Sequence, residues 1–198
     1  MTNNVVEAVV HIEGTRPLLW HAFTPEAIPL ERKEKTGVAG NDPVEWQRTV
    51  LVDPDTRLLY IPGTYAFSCI KEGGKYIKKG RSSYQPIIIA TLLVLDDAIF
   101  IDDRRLPEQP TTDPDQPVYL DVRGVRNPST RGMNVGYRIA CRSGWTCAFR
   151  LHWDRSLIAT ELLESILMDA GRFAGIGSGR AIGMGRFQLK AFDALNGS

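Results

Sequence analysis

Apolar positions along the chain fall into short runs separated by polar, turn-forming segments. Val5-Val6-Glu7-Ala8-Val9-Val10-His11-Ile12 is β-branched and mostly apolar, which predicts a central strand. After Arg16-Pro17-Leu18-Leu19-Trp20 a polar stretch runs through Lys35 to Gly37 and Gly40, the signature of a long loop. Residues 47–52 and 57–61 flank Asp53-Pro54-Asp55-Thr56, a turn composition, so a β-hairpin is expected there. Pro62-Gly63-Thr64 opens a helix capped by Thr64 and stopped at Gly73-Gly74. The apolar run from Pro86 to Leu95 predicts a buried strand. Residues 118–125 and 135–141 predict two strands joined by Arg126-Asn127-Pro128-Ser129-Thr130-Arg131-Gly132, and 145–153 predicts another. Across 154–170, Leu157, Ile158, Leu162, Leu163, Ile166, Leu167 and Ala170 share one helical face, with Gly171 at the C-terminal cap. Residues 187–192 close the chain as a strand. This order predicts a ferredoxin-like (RRM-like) α+β fold, an antiparallel sheet with β-hairpin insertions, in a single domain over 1–198.

Composition excludes whole classes. With 198 residues, 43% of them apolar and 24% charged, the chain can build a core and is not disordered. No apolar run approaches the ~20 residues of a membrane-spanning helix, and residues 1–4 lead into the first strand without a signal-peptide pattern. Cys69, Cys141 and Cys147 have no metal-type spacing and are too few for a disulfide framework, which suits a reducing cytoplasm. The net charge of +1 hides a partition: Lys71, Lys75, Lys78, Lys79 and Arg81 oppose only Glu72, and six arginines between Val118 and Arg150 oppose only Asp121. Residues 171–190 hold four cations and no acid, while seven carboxylates gather between Asp96 and Asp115. Such sorting can offer basic surfaces to a polyanion, although charge scattered over a solvated surface gives similar windows.

Residues 175–185 contain five glycines with Arg180 inside the segment and Arg186 just beyond it. Glycine lets the backbone approach a ligand and turn successive N–H groups into one concavity, a fit for phosphate. The dinucleotide fingerprint fails because the spacing is wrong and the segment follows a helix, and the Walker Gly-Lys-Ser/Thr is absent. A merely close-packed connection is the alternative, and the two arginines favour the polyanion.

Gly175 to Phe187 resembles the C-terminal glycine-rich loop of the RAMP superfamily, RNA-binding proteins of CRISPR effector complexes. Leu59-Tyr60-Ile61-Pro62-Gly63-Thr64 is similar to a second signature of that family, at the strand end before the first helix. The resemblance spans nearly the whole chain and is nearest to the backbone subunits, which stack along a guide RNA and kink it with a β-hairpin thumb. It implies a thumb at 118–141 and, as partners, single-stranded guide RNA, copies of the chain, other effector subunits and, in such assemblies, target nucleic acid. No membrane partner is implied. The chain departs from the pattern in its short length and in the residues after Thr64.

The candidate RNA-binding residues are Gly175, Gly177, Ser178, Gly179, Arg180, Gly183, Gly185 and Arg186 in the loop, with Lys71, Lys75, Lys78, Lys79 and Arg81 lining the same groove. Arg123, Arg126 and Arg131 would act from the thumb. Tyr76 and Tyr84 lie among the lysines, where aromatic rings can stack on unpaired bases. Two catalytic alternatives come with the resemblance. Asp42, in Gly40-Asn41-Asp42-Pro43, matches the position of an aspartate that supports Mg2+-dependent RNA cleavage in target-cleaving members, although Asn-Asp-Pro is also a common turn. His21 matches the position of a general acid–base histidine in guide-processing ribonucleases. His11 and His152 read as packed or paired sheet residues. No cofactor is expected unless the nuclease alternative brings Mg2+, and the scattered cysteines and histidines argue against structural zinc.

Overall fold

Alternate side chains of β1 (Val5–Gly14), namely Val6, Ala8, Val10 and Ile12, are buried while their neighbours face outward, the period-two pattern of a half-buried strand. The computed structural model describes residues 4–22, 42–126 and 132–195. The loop expected up to Gly40, with Lys33 and Lys35, and the hairpin tip with Arg131 lie outside them.

Following β1 are β2 (Leu18–Leu19), α1 (Glu45–Thr49), β3 (Leu58–Pro62), α2 (Gly63–Gly73), β4 (Lys78–Lys79), β5 (Ser82–Ser83), α3 (Gln85–Thr91) and β6 (Leu93–Val94). Then come β7 (Ala98–Arg105), β8 (Val118–Arg126), β9 (Met133–Cys141), β10 (Thr146–Asp154), α4 (Thr160–Asp169) and β11 (Phe187–Leu195). The main sheet has the order β11-β1-β10-β6 with every neighbouring pair antiparallel. With α2 between β1 and β6, and α4 between β10 and β11, this is the ferredoxin-like arrangement that the apolar pattern predicts.

Helices α2 and α4 bury Ala66, Cys69, Ile70, Leu163, Ile166 and Leu167 against the inward residues of β1 and β10. Three tryptophans, Trp20, Trp145 and Trp153, are almost wholly inside, and each indole N–H reaches a carbonyl: Tyr60 at 2.8 Å, Arg16 at 2.9 Å and Ile158 at 2.9 Å. Two of these bonds fix the chain on either side of Pro17-Leu18-Leu19, which will matter for the loop. The opposite face of the main sheet carries ion pairs, Glu7 and Asp96 with Arg150 and Glu13 with Lys190, and places the Asp193 carboxylate 3.8 Å from His11.

The insertions add a β2-β9-β8 sheet, a β3-β7 pair and a small β4-β5 hairpin. Strands β8 and β9 pair without interruption from Val118↔Cys141 to Arg126↔Met133. The hairpin expected at 118–141 is thus present, and β2 anchors its base through Leu18↔Cys141 and Leu19↔Ala140.

Four local expectations are corrected. The run from Pro86 to Leu95 is helix α3 followed by the two-residue β6, because Pro86 pre-sets the first helical turn and Ile88 and Leu92, four apart, share the buried face. Residues 45–49 form α1 in place of a strand, so the expected hairpin shrinks to one bridge, Val52↔Leu59, around a turn closed by the Asp53 carboxylate. Thr64 does not cap α2; Pro62 holds that position in extended geometry with no side-chain bond. Gly171 does not end the last helix either. Helix α4 widens instead into a π-helical turn, Ala170–Ala174, which closes when Gly175 N–H donates to Ala170 O at 2.9 Å.

Candidate nucleic-acid interface

The glycine-rich segment is stitched to the chain around Pro17. Gly185 N–H donates to Pro17 O at 2.8 Å, Ser178 N–H to Leu19 O at 2.8 Å, and Ile176 N–H to Gly185 O at 2.9 Å. Thr15 and Arg16 return two bonds to Arg186 O. Ile176 is buried as an anchor, and Met184 packs on Leu19, Tyr119 and Ala140, so the loop sits on the sheet that carries the β8–β9 hairpin. All five glycines have positive φ, a backbone shape that only glycine adopts without strain.

This geometry divides the candidate loop residues. The amides of Gly175, Ser178, Gly183 and Gly185 are spent on internal bonds and cannot grip a ligand. Those of Gly177, Gly179, Arg180 and Ala181 make no bond to the described residues and stay available. Gly177, Ser178, Gly179 and Arg180 also line an open groove of about 720 Å3, whereas Gly175, Gly183 and Gly185 do not. The rest of its wall is His21, Tyr65, Glu72, Tyr76, Phe173, Ala174, Ala181 and Arg186.

Two guanidinium groups dominate the groove. Arg180 is exposed and has no carboxylate partner among the described residues. Arg186 is half-buried, and its Nη1 is buried with no acceptor among the described residues. A buried cationic donor with nothing to bond to is costly unless a ligand supplies the acceptor. Tyr65 adds a neutral donor, since burial raises its phenol pKa and the nearby Arg180 only partly offsets this. Both arginines and Tyr65 are thus suited to an anion with several acceptor oxygens.

The basic residues after α2 take other places. Lys71, Lys75, Lys78, Lys79 and Arg81 are not among the groove walls. Lys75 pairs with Glu72 at 3.0 Å, and Lys78 and Lys79 form β4, where Lys79 Nζ sits 5.2 Å from the Tyr84 ring centre. On the hairpin, Arg123 is held in a bidentate pair by Asp121, whose carboxylate is buried, and Arg126 is the last residue of β8. Arg123 is therefore largely neutralised where it stands.

The two catalytic candidates separate. Asp42 accepts from Val44 N–H at 3.1 Å and pairs with Arg48, so its carboxylate closes the turn that starts α1. Among the described residues no group of three or more His, Cys, Asp or Glu side chains is placed to hold a metal ion. His21 does line the groove, 4.0 Å from Glu45. Burial, then Arg138, lower its pKa below the usual value, with Glu45 opposing. His21 is thus more fully neutral at pH 7 than an exposed histidine. The unfolded chain protonates this residue first as pH falls, so stability declines as pH drops through the ordinary histidine range. Wild-type chain is expected to lose more thermal stability than His21→Asn between pH 7.5 and 5.5, as read by differential scanning fluorimetry; parallel losses would contradict that placement.

The three cysteines are free and buried, and burial pushes each thiol up to about 12, so none is a nucleophile at neutral pH. Sequence reasoning missed Phe173, Tyr65 and Arg138. Phe173 reaches the groove only because of the π-turn, and no apolar pattern marks such a turn in advance.

No protein-family model matches the chain, and no curated protein is similar to it. Solved structures do match. A chain of the type III-B Cmr-beta complex bound to cognate target RNA superposes with a TM-score of 0.52 at 14% identity, over 96% of this chain and 61% of that one. Cmr6 from Pyrococcus furiosus superposes with a TM-score of 0.50 at 12% identity, over 96% of this chain and 100% of that one. The chain thus spans less than two thirds of the length of the first. At such identities the likeness is one of fold: the chain shares its ferredoxin-like architecture with these two proteins.

Proposed function

We propose that this chain is an RNA-binding subunit of a CRISPR-type or related nucleoprotein assembly, coating single-stranded guide RNA by gripping its sugar–phosphate backbone. The observation that carries this is the Arg186 guanidinium, which among the described residues is buried at one nitrogen without an acceptor, beside Arg180 and four loop amides that likewise bond to none of those residues. Phosphate oxygens supply those acceptors, and contacts to the backbone carry no base information, as a coat along a guide requires. The likeness to a chain of an RNA-bound assembly supports the same reading. Partners then include further copies of the chain and neighbouring effector subunits.

Purified chain is expected to bind fluorescein-labelled single-stranded RNA with an affinity that falls steeply with salt, by a log–log slope of about −0.7 for each phosphate held. Affinity unchanged between 50 and 300 mM KCl would overturn the proposal.

A second reading, metal-independent endoribonuclease, is favoured by one fact: neutral His21 stands in the same groove, where it can accept a ribose proton. Labelled RNA incubated in EDTA separates the two. Intact RNA supports the binding subunit, whereas cuts that disappear in His21→Ala establish the ribonuclease.

A further inference from the structure

Two half-exposed aromatic rings stand together at the groove. Tyr76 follows α2 and Phe173 belongs to the π-turn after α4, and their ring centres lie 5.2 Å apart with planes tilted by 54°. Tyr76 is 48% and Phe173 49% exposed, so each ring leaves much of its surface open to solvent. Both line the groove that holds Arg180 and Arg186. The π-turn is what brings Phe173 there: its neighbour Arg172 lines a different cavity, beside Lys190 and the start of β11.

We infer that Tyr76 and Phe173 form a stacking subsite for one unpaired nucleobase of the bound strand. This rests on the RNA-binding reading above and adds to it a contact with a base. An open aromatic face beside cationic donors matches what a nucleotide offers, a flat π surface tethered to a phosphate. A protein partner would more naturally meet a broad apolar patch than two rings in a concave site beside two guanidinium groups that pair with no carboxylate among the described residues.

The experiment uses single-stranded oligoribonucleotides that carry 2-aminopurine at successive positions, whose fluorescence is quenched on stacking. With full-length chain, at least one position should be quenched on binding. Tyr76→Ala and Phe173→Ala should each relieve that quenching and weaken binding by roughly tenfold. Tyr76→Phe should keep both properties. The salt dependence should stay as in wild type, since no charge is removed. Both rings are half-exposed, and circular dichroism should show all variants folded. Bound RNA without quenching at any position, or affinity within twofold of wild type in both alanine variants, overturns the stacking site and leaves the phosphate grip intact. Loss of RNA-free self-association in the alanine variants, with RNA affinity unchanged, identifies a protein contact and overturns it too. A wild-type chain that binds no RNA overturns the stacking site together with the reading beneath it.

Discussion

Gly185→Ala is expected to destabilise the chain by about 2–6 kcal/mol and to abolish high-affinity RNA binding. The backbone at Gly185 has φ of +66°, where a side chain costs roughly 1–3 kcal/mol. A Cβ there would also lie 1.7 Å from Ile176 O, which is main chain and has no rotamer by which to yield. Gly185 cannot move aside, because its N–H is held by Pro17 O and its carbonyl by Ile176 N–H. Overpacking of this kind adds about 1–3 kcal/mol. The sum is a large share of the ~5–15 kcal/mol that holds a domain together. For a chain of this size it corresponds to a fall in Tm of about 10 °C. Gly183→Ala supplies the comparison: φ there is +84°, but nothing lies within 4 Å of the added carbon, so only the conformational cost of about 1 kcal/mol applies. Thermal and urea unfolding of the two variants side by side decide the matter. Equal destabilisation would mean that the seam between Ile176 and Gly185 is looser than described.

Those two glycines also mark how far the chain could be read from its residues. The ferredoxin-like order of elements, the last helix and the 118–141 hairpin follow from period-two and helical spacing over long segments, where each residue adds to the same signal. The failures lie where one residue overrides a pattern. Pro86 turned a β-branched run into a helix, and the Asp42–Arg48 pair with the Val44 N–H bond accompanies a helical turn where a strand was expected. For the site, the arginines were legible because the segment holds cations and no acid. Whether a charge is free is not, since that depends on long-range neighbours: Arg123 meets buried Asp121, while Arg186 Nη1 finds no acceptor among the described residues. The loop amides show the same limit. Glycine content announces a tight backbone, but only the fold reveals that half of the candidate amides are spent on Pro17, Leu19, Ala170 and the loop itself.

The larger test of function is Arg180→Ala with Arg186→Ala. The pair stands in a groove whose other charged wall residue, Glu72, is already occupied by Lys75, so their field is not cancelled locally. Each guanidinium that holds one phosphate contributes about 0.7 to the salt slope on a single strand, so the double variant should flatten it by about 1.4. Charge-assisted bonds contribute about 1.5–3 kcal/mol each, which at low salt corresponds to at least a hundredfold loss of affinity for the pair. Stability should barely change or rise, because removing Arg186 also removes a buried donor that has no acceptor among the described residues. That opposition, weaker binding with an equally or more stable fold, marks a ligand site as distinct from a structural one. Lysine at both positions should restore most of the slope but less of the affinity, because an ammonium keeps the charge and loses the planar fork. Lys78→Ala with Lys79→Ala, on β4 and away from the groove walls, should cost less affinity than either arginine. If the lysine pair proved the more damaging, the RNA would run along the β4–β5 hairpin, and Arg186 would have to be explained without it.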